Sequence, residues 1–100
     1  VAPEQYDPKS TAKFWKGENP TRIAALRTLL AGIDDFSKEN TEKIVFEWIA
    51  QNEYPMGQVM NSFRLAIVGT SSGPSILDIC EIIGKEETLR RIDKALETLR

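Results

Sequence analysis

Few residues of this 100-residue chain have types that could do chemistry: the adjacent carboxylates Asp34 with Asp35 and Glu86 with Glu87, one cysteine, Cys80, and the isolated arginine Arg64. Neither acid pair suits general acid–base work, because sequence neighbours on a helix point in different directions and do not face one substrate. They read as a surface turn and as an acidic helix N-terminus, which the helix dipole favours. Cys80 lies among Ile79, Ile82 and Ile83 and reads as a buried thiol. The sequence has no histidine, which removes the commonest general base, the usual serine and cysteine triads and most zinc sites. Gly69 and Gly73 build no phosphate loop, since neither a Gly-Lys-Ser/Thr ending nor a third glycine follows them. No catalytic residue, metal site or cofactor site is expected within this chain.

The stretch from Tyr54 to Leu77 is the informative one, because Arg64 is its sole charged residue. A guanidinium offers a planar fork that hydrogen-bonds a base edge or stacks on its face. The turn Thr70-Ser71-Ser72-Gly73-Pro74 that follows supplies hydroxyls, backbone amides at a helix start, and a glycine that lets a ligand approach the backbone closely. Unstacked RNA loops are read by such groups. The plainer alternative makes Gly69 a helix C-cap, Pro74 a helix start, and Arg64 a solvated or locally paired side chain, and spacing alone favours it.

These groups must be positioned by helices, since apolar residues recur at helical spacing throughout and no stretch of strand length alternates strictly. The expected fold class is all-α, a compact helical bundle of about six short helices. Asp7 and Pro8 open a helix that Gly17 stops, and Asn19 and Pro20 open one carrying Ile23, Leu26, Leu29, Leu30 and Ile33, closed near a left-handed Gly32. A polar connection follows over Asp34 to Asn40. From Thr41, the stripe Ile44, Val45, Trp48 and Ile49 predicts a third helix with Trp48 as a core anchor rather than a stacking platform. Pro55 opens a fourth helix that ends at Gly69, with Val59, Met60, Phe63 and Ile67 on its apolar face. Ile76, Leu77, Ile79, Cys80, Ile82 and Ile83 predict a fifth, apolar nearly all round and so buried on most sides. After Gly84, a sixth helix carries the stripe Leu89, Ile92, Leu96 and Leu99.

The length suits one domain with one modest core. The polar stretch at 34–41 is the expected seam between an N-terminal helical pair (1–33) and a C-terminal helical cluster (41–100). No apolar run nears the ~20 residues that span a bilayer, and the start lacks the order of a signal peptide, so a cytoplasmic, membrane-free location is expected. Net charge is -2 and the pI about 5.2, the wrong sign for a domain that grips nucleic acid mainly through phosphates.

The run Phe63-Arg64-Leu65-Ala66-Ile67-Val68-Gly69-Thr70-Ser71-Ser72-Gly73-Pro74, then Ile76-Leu77, Ile82-Ile83-Gly84-Lys85-Glu86 and Leu89-Arg90-Arg91-Ile92, resembles the C-terminal end of bacterial-type glutamyl-tRNA synthetases. Tyr6-Asp7 with Lys9 and Lys13-Phe14 is similar to the Tyr-Asp-x-Lys segment upstream in that family. The resemblance implies an α-helical anticodon-binding region that holds the anticodon loop of tRNA for glutamate. Arg64 matches the family arginine placed at an anticodon base; Gly73, Pro74 and Ile76 match positions lining the pocket for the splayed bases. Thr70, Ser71 and Ser72 fall in a turn that varies in the family and are secondary candidates for RNA contact. Phe63 stands where Leu is usual, Val68 where Thr is usual, and Gly73 where some members carry Thr.

The His-Ile-Gly-His and Lys-Met-Ser-Lys-Ser elements of class I synthetases are absent, so ATP, magnesium and the ligation chemistry would belong to a catalytic body of the same polypeptide outside this chain. The resemblance also eases the charge objection, because unstacked bases are held more by stacking and hydrogen bonds than by phosphate neutralisation. The competing expectation is a non-catalytic helical protein-interaction module, which fits the acidic pI and the apolar helix around Cys80.

Overall fold

The computed structural model describes residues 5–70 and 73–99, which form six helices: α1 (Pro8–Phe14), α2 (Asn19–Ala31), α3 (Lys38–Gln51), α4 (Met56–Val68), α5 (Ile76–Ile83) and α6 (Lys85–Thr98). No strand lies among the described residues.

Helix α4 is the axis of the molecule and packs against each of the other five. Its buried residues, Val59, Ser62, Phe63, Leu65, Ala66 and Ile67, crowd most of the circumference of its second half. A helix enclosed in this way tolerates charge only where the side chain reaches a partner or solvent, which gives the uncharged stretch around Arg64 a packing cause. Helix α2 delivers Ile23, Leu26 and Leu30 to the same core, α3 Val45 and Ile49, α5 Leu77 and Cys80, and α6 Ile92 and Ala95. Since α2 packs on α4 and α6, the core is continuous across the expected seam at 34–41.

Local chemistry sets the helix ends. The Asp7 carboxylate accepts from the Ser10 N–H (2.9 Å) and hydroxyl (2.7 Å), and Pro8 stands in the first turn of α1. Asn19 does not cap its own helix. It stands inside α2, and its Nδ2 donates to the Phe14 carbonyl (2.7 Å) and to Gln58 Oε1 (3.0 Å), satisfying a buried acceptor at the end of α1. Gly32 is not left-handed either: its φ is -87°, and the end of α2 tightens so that the Ile33 N–H reaches the Leu30 carbonyl (3.1 Å) and Ile33 enters the core. Helix α3 begins at Lys38, ahead of the expected Thr41, because the Ser37 hydroxyl accepts from the Asn40 N–H (3.4 Å). The polar residues of the expected connection form the outer side of that first turn.

One expected apolar face is corrected, and two others pack against the core with partly buried side chains. Ile82 on α5 is 83% exposed, since α3, α4 and α6 cover the helix only on the side of Ile76, Leu77 and Cys80. On α6 the buried residues are Thr88, Arg91, Ile92 and Ala95, while Leu89, Leu96 and Leu99 are partly buried. Trp48 is also only partly buried; it packs at the core's margin with its ring edge-on to Tyr54, 5.3 Å between centroids.

Gly69 ends α4 in the left-handed conformation, φ +84°, with its N–H on the Leu65 carbonyl (2.8 Å). A side chain there meets the Cβ penalty of that conformation. Gly69→Ala is therefore expected to destabilise the fold by about 1–2 kcal/mol in urea unfolding; an unchanged midpoint would show that the turn accepts another backbone conformation.

Candidate functional site

Arg64 sits on α4 one and a half turns before Gly69, between the buried Phe63 and Leu65, and is itself partly buried. Four arginines have carboxylate partners: Arg22 with Glu18 (3.2 Å), Arg27 with Asp93 (3.0 Å), and Arg90 and Arg91 with Glu87 (2.7 Å each). Arg64 pairs with no acidic group among the described residues, and its Nε is buried with no hydrogen-bond partner. The locally paired alternative therefore finds no support. An unmet buried N–H costs about 1–3 kcal/mol, a state that the Arg64 Nε shares with the Tyr6 hydroxyl and the Arg22 Nε. The same helix supplies no carboxylate.

Beyond α4, Gly69 is buried and Thr70 partly buried, while Gly73, Pro74 and Ser75 are exposed. Ser71 and Ser72 lie outside the described residues. Ile76 differs from its companions: it is 2% exposed and belongs to the core, so its side chain anchors the start of α5 rather than facing solvent. Thr70, Gly73 and Pro74 thus belong to the α4–α5 connection, Arg64 lies five residues before Gly69 on α4, and Ile76 anchors the start of α5 in the core.

Two tethers fix the end of α4. The Asp7 backbone N–H donates to the Gly69 carbonyl (2.7 Å). From α6, Arg91 Nη1 donates to the Ile67 carbonyl (3.1 Å), while its Nε donates to Glu87 Oε2 (2.7 Å). Hydrogen bonds from Arg90 and Arg91 hold the Glu87 carboxyl far below the usual range, at about 2. The contribution of this carboxylate to stability is complete above the ordinary glutamate pKa of about 4.3 and is lost as pH falls from there towards 2. The Glu87 and Arg91 spacing of four residues was visible in the sequence, but the carbonyl that Arg91 reaches was not.

The remaining reactive groups lie elsewhere. Burial pushes the Cys80 thiol up to about 11, against opposing effects of the Thr88 hydroxyl and the Arg91 charge, so it stays protonated at neutral pH. Asp35 accepts from the Ser37 N–H (3.1 Å) in an exposed turn. No group of three or more Cys, Asp and Glu that could hold a metal ion lies among the described residues. One surface hollow is lined by Gln5, Tyr6, Pro8, Thr11, Ala12 and Leu99, and a second by Glu18, Thr21, Arg22, Ala25 and Tyr54; neither includes Arg64, Thr70, Gly73 or Pro74. No helix is long and apolar enough to cross a membrane among the described residues.

The sequence profile of a family described as an anticodon binding domain matches residues 1–96. The chain belongs to that family. This anticodon-binding domain is similar over its whole length to part of the glutamate–tRNA ligase of Phocaeicola vulgatus, with 48% identity over 100 residues, and to that of Flavobacterium psychrophilum, with 50% over 99 residues. In each case it covers 20% of the relative. The crystal structure of a glutamate tRNA ligase from Elizabethkingia meningosepticum in complex with its amino acid matches the domain with a TM-score of 0.93 and 37% identity, over 100% of this chain and 20% of that one. A glutamate-tRNA synthetase from Elizabethkingia anophelis matches at 0.83 and 34%, over 97% of this chain and 18% of that one. The domain spans about a fifth of the length of these relatives.

Proposed function

We propose that this domain reads the anticodon loop of tRNA for glutamate, as the tRNA-recognising part of a glutamate–tRNA ligase. The observation that carries the reading is Arg64, an arginine without a carboxylate partner among the described residues, partly buried on the central helix five residues before Gly69. Its guanidinium hydrogen-bonds or stacks on a splayed base. Gly73 admits a nucleotide close to the backbone, Pro74 offers a rigid apolar face, and the Thr70 hydroxyl can bond a base edge or phosphate oxygen. Ser71 and Ser72 complete the candidate set. Ile76 acts from the core by fixing Pro74.

Ligation of glutamate, with ATP and magnesium, falls to a catalytic body of the same polypeptide in the cytoplasm, since this chain supplies no acid–base constellation. Its net charge of -2 requires that affinity come from stacking and hydrogen bonds.

The test is a titration of anticodon stem-loops, one for glutamate and one for an unrelated amino acid, at several salt concentrations. Tighter binding of the glutamate loop is expected, with a salt slope corresponding to only a few phosphates. Equal affinity for the two loops would refute the reading.

A further inference from the structure

The residues proposed to face RNA are held by a device whose central guanidinium is buried. Arg91 is 5% exposed, and its guanidinium bridges two helices: one nitrogen on the Ile67 carbonyl near the end of α4, another on Glu87 one turn earlier in α6. The pair contributes to stability through the Glu87 carboxylate, which remains 27% exposed while the Arg91 side chain is 6% exposed. What the pair adds is direction. The end of a helix presents carbonyls with no partner in the helix and a partial negative charge, and a buried guanidinium anchored by a carboxylate meets one of them at a fixed angle. The carbonyl it meets belongs to the residue three beyond Arg64 and two before Gly69.

Arg90 provides the contrast. It grips the same Glu87 carboxylate with two bonds, 2.8 and 2.7 Å, but is exposed and is seen to bond only Glu87.

Resting on the anticodon-reading function, we propose that Arg91 is a positioning residue for base selection: through the Ile67 carbonyl it sets the last turn of α4, and so the placement of Arg64 and Thr70. Glu87 sets Arg91 in turn.

The experiment uses the full-length protein that carries this domain. Dissociation constants are measured for the glutamate anticodon stem-loop and for the same loop with one anticodon base changed, and their ratio is the readout. All measurements are made well below the lowest melting midpoint of the variants. In Arg91→Met the ratio is expected to fall roughly tenfold, the lower part of the range for one base contact, with affinity for the changed loop nearly constant. Arg91→Lys, which keeps a donor and the charge, restores part of the ratio, and Arg90→Ala leaves it at the wild-type value. Should Arg91→Met fail to fold, Glu87→Gln, which leaves the Ile67 contact but loosens its anchor, is expected to lower the ratio by several-fold. A folded Arg91→Met protein with the wild-type ratio would overturn the proposal while leaving the anticodon function intact, as would an equal loss of affinity for both loops. A wild-type ratio of one would overturn both.

Discussion

Replacing Arg64 by alanine is expected to weaken binding of the glutamate anticodon loop by about 1–3 kcal/mol, roughly five- to 150-fold, without loss of the fold. Both halves of the expectation come from the same observation. The Arg64 Nε is buried and unmet, so removing the side chain removes a desolvated donor, which offsets the packing lost with its aliphatic stem. The melting midpoint of Arg64→Ala should therefore equal or slightly exceed that of the wild type. Arg64→Lys tests the geometry: it keeps the charge and loses the planar fork, and should bind nearly as weakly as alanine if a base edge or face is what the fork meets. Titration calorimetry with the stem-loop measures the first effect and thermal unfolding the second. Full affinity in a folded Arg64→Ala domain would remove Arg64 from the site.

The neighbouring residue should behave in the opposite way. Phe63 is 0% exposed on the axial helix, and Phe63→Ala is expected to cost about 3–5 kcal/mol in urea unfolding. Domains of this size are stable by roughly 5–15 kcal/mol, so the substitution consumes a large part of the total and brings the domain near its unfolding threshold. The position that resembles a family leucine thus holds a larger side chain that the surrounding helices enclose completely. RNA affinity in Phe63→Ala should fall only in step with the folded fraction, which separates it from Arg64→Ala. A cost below 1 kcal/mol would mean that the core collapses around the vacated space.

Local signals made much of the fold legible. Asp7 with Pro8, the left-handed Gly69, and the 3.6-residue apolar pattern place α1, α4 and their neighbours because caps and periodicity act over a few residues. Where the outcome depended on what packs against a helix, the sequence was silent. Ile82 looks like a core residue until α5 is found to be covered on one side, and nothing in the sequence separates the buried Arg91 from the exposed Arg90 beside it. Asn19 has the right type for an N-cap, but a distant carbonyl claims its side chain. The candidate site shows the same division. Arg64 stood out through the absence of other charge, and that absence reflects the burial of α4 as much as any ligand. Its lack of a carboxylate partner, the stronger evidence, is a three-dimensional fact.

The two tethers on the end of α4 come from parts of the chain that are far from each other in sequence, Asp7 near its start and Arg91 in its last helix. Closing such loops is entropically costly, and the contacts that reward it form only when the intervening helices are in place. During synthesis, which proceeds from the N-terminus, the Ile67 carbonyl waits for its donor until α6 has left the ribosome. A partly made domain that lacks α6 lacks the Arg91 tether on the end of α4. On the proposed function, selection among anticodon bases then depends on α6, because the Arg91 tether forms only when that helix has packed against α4.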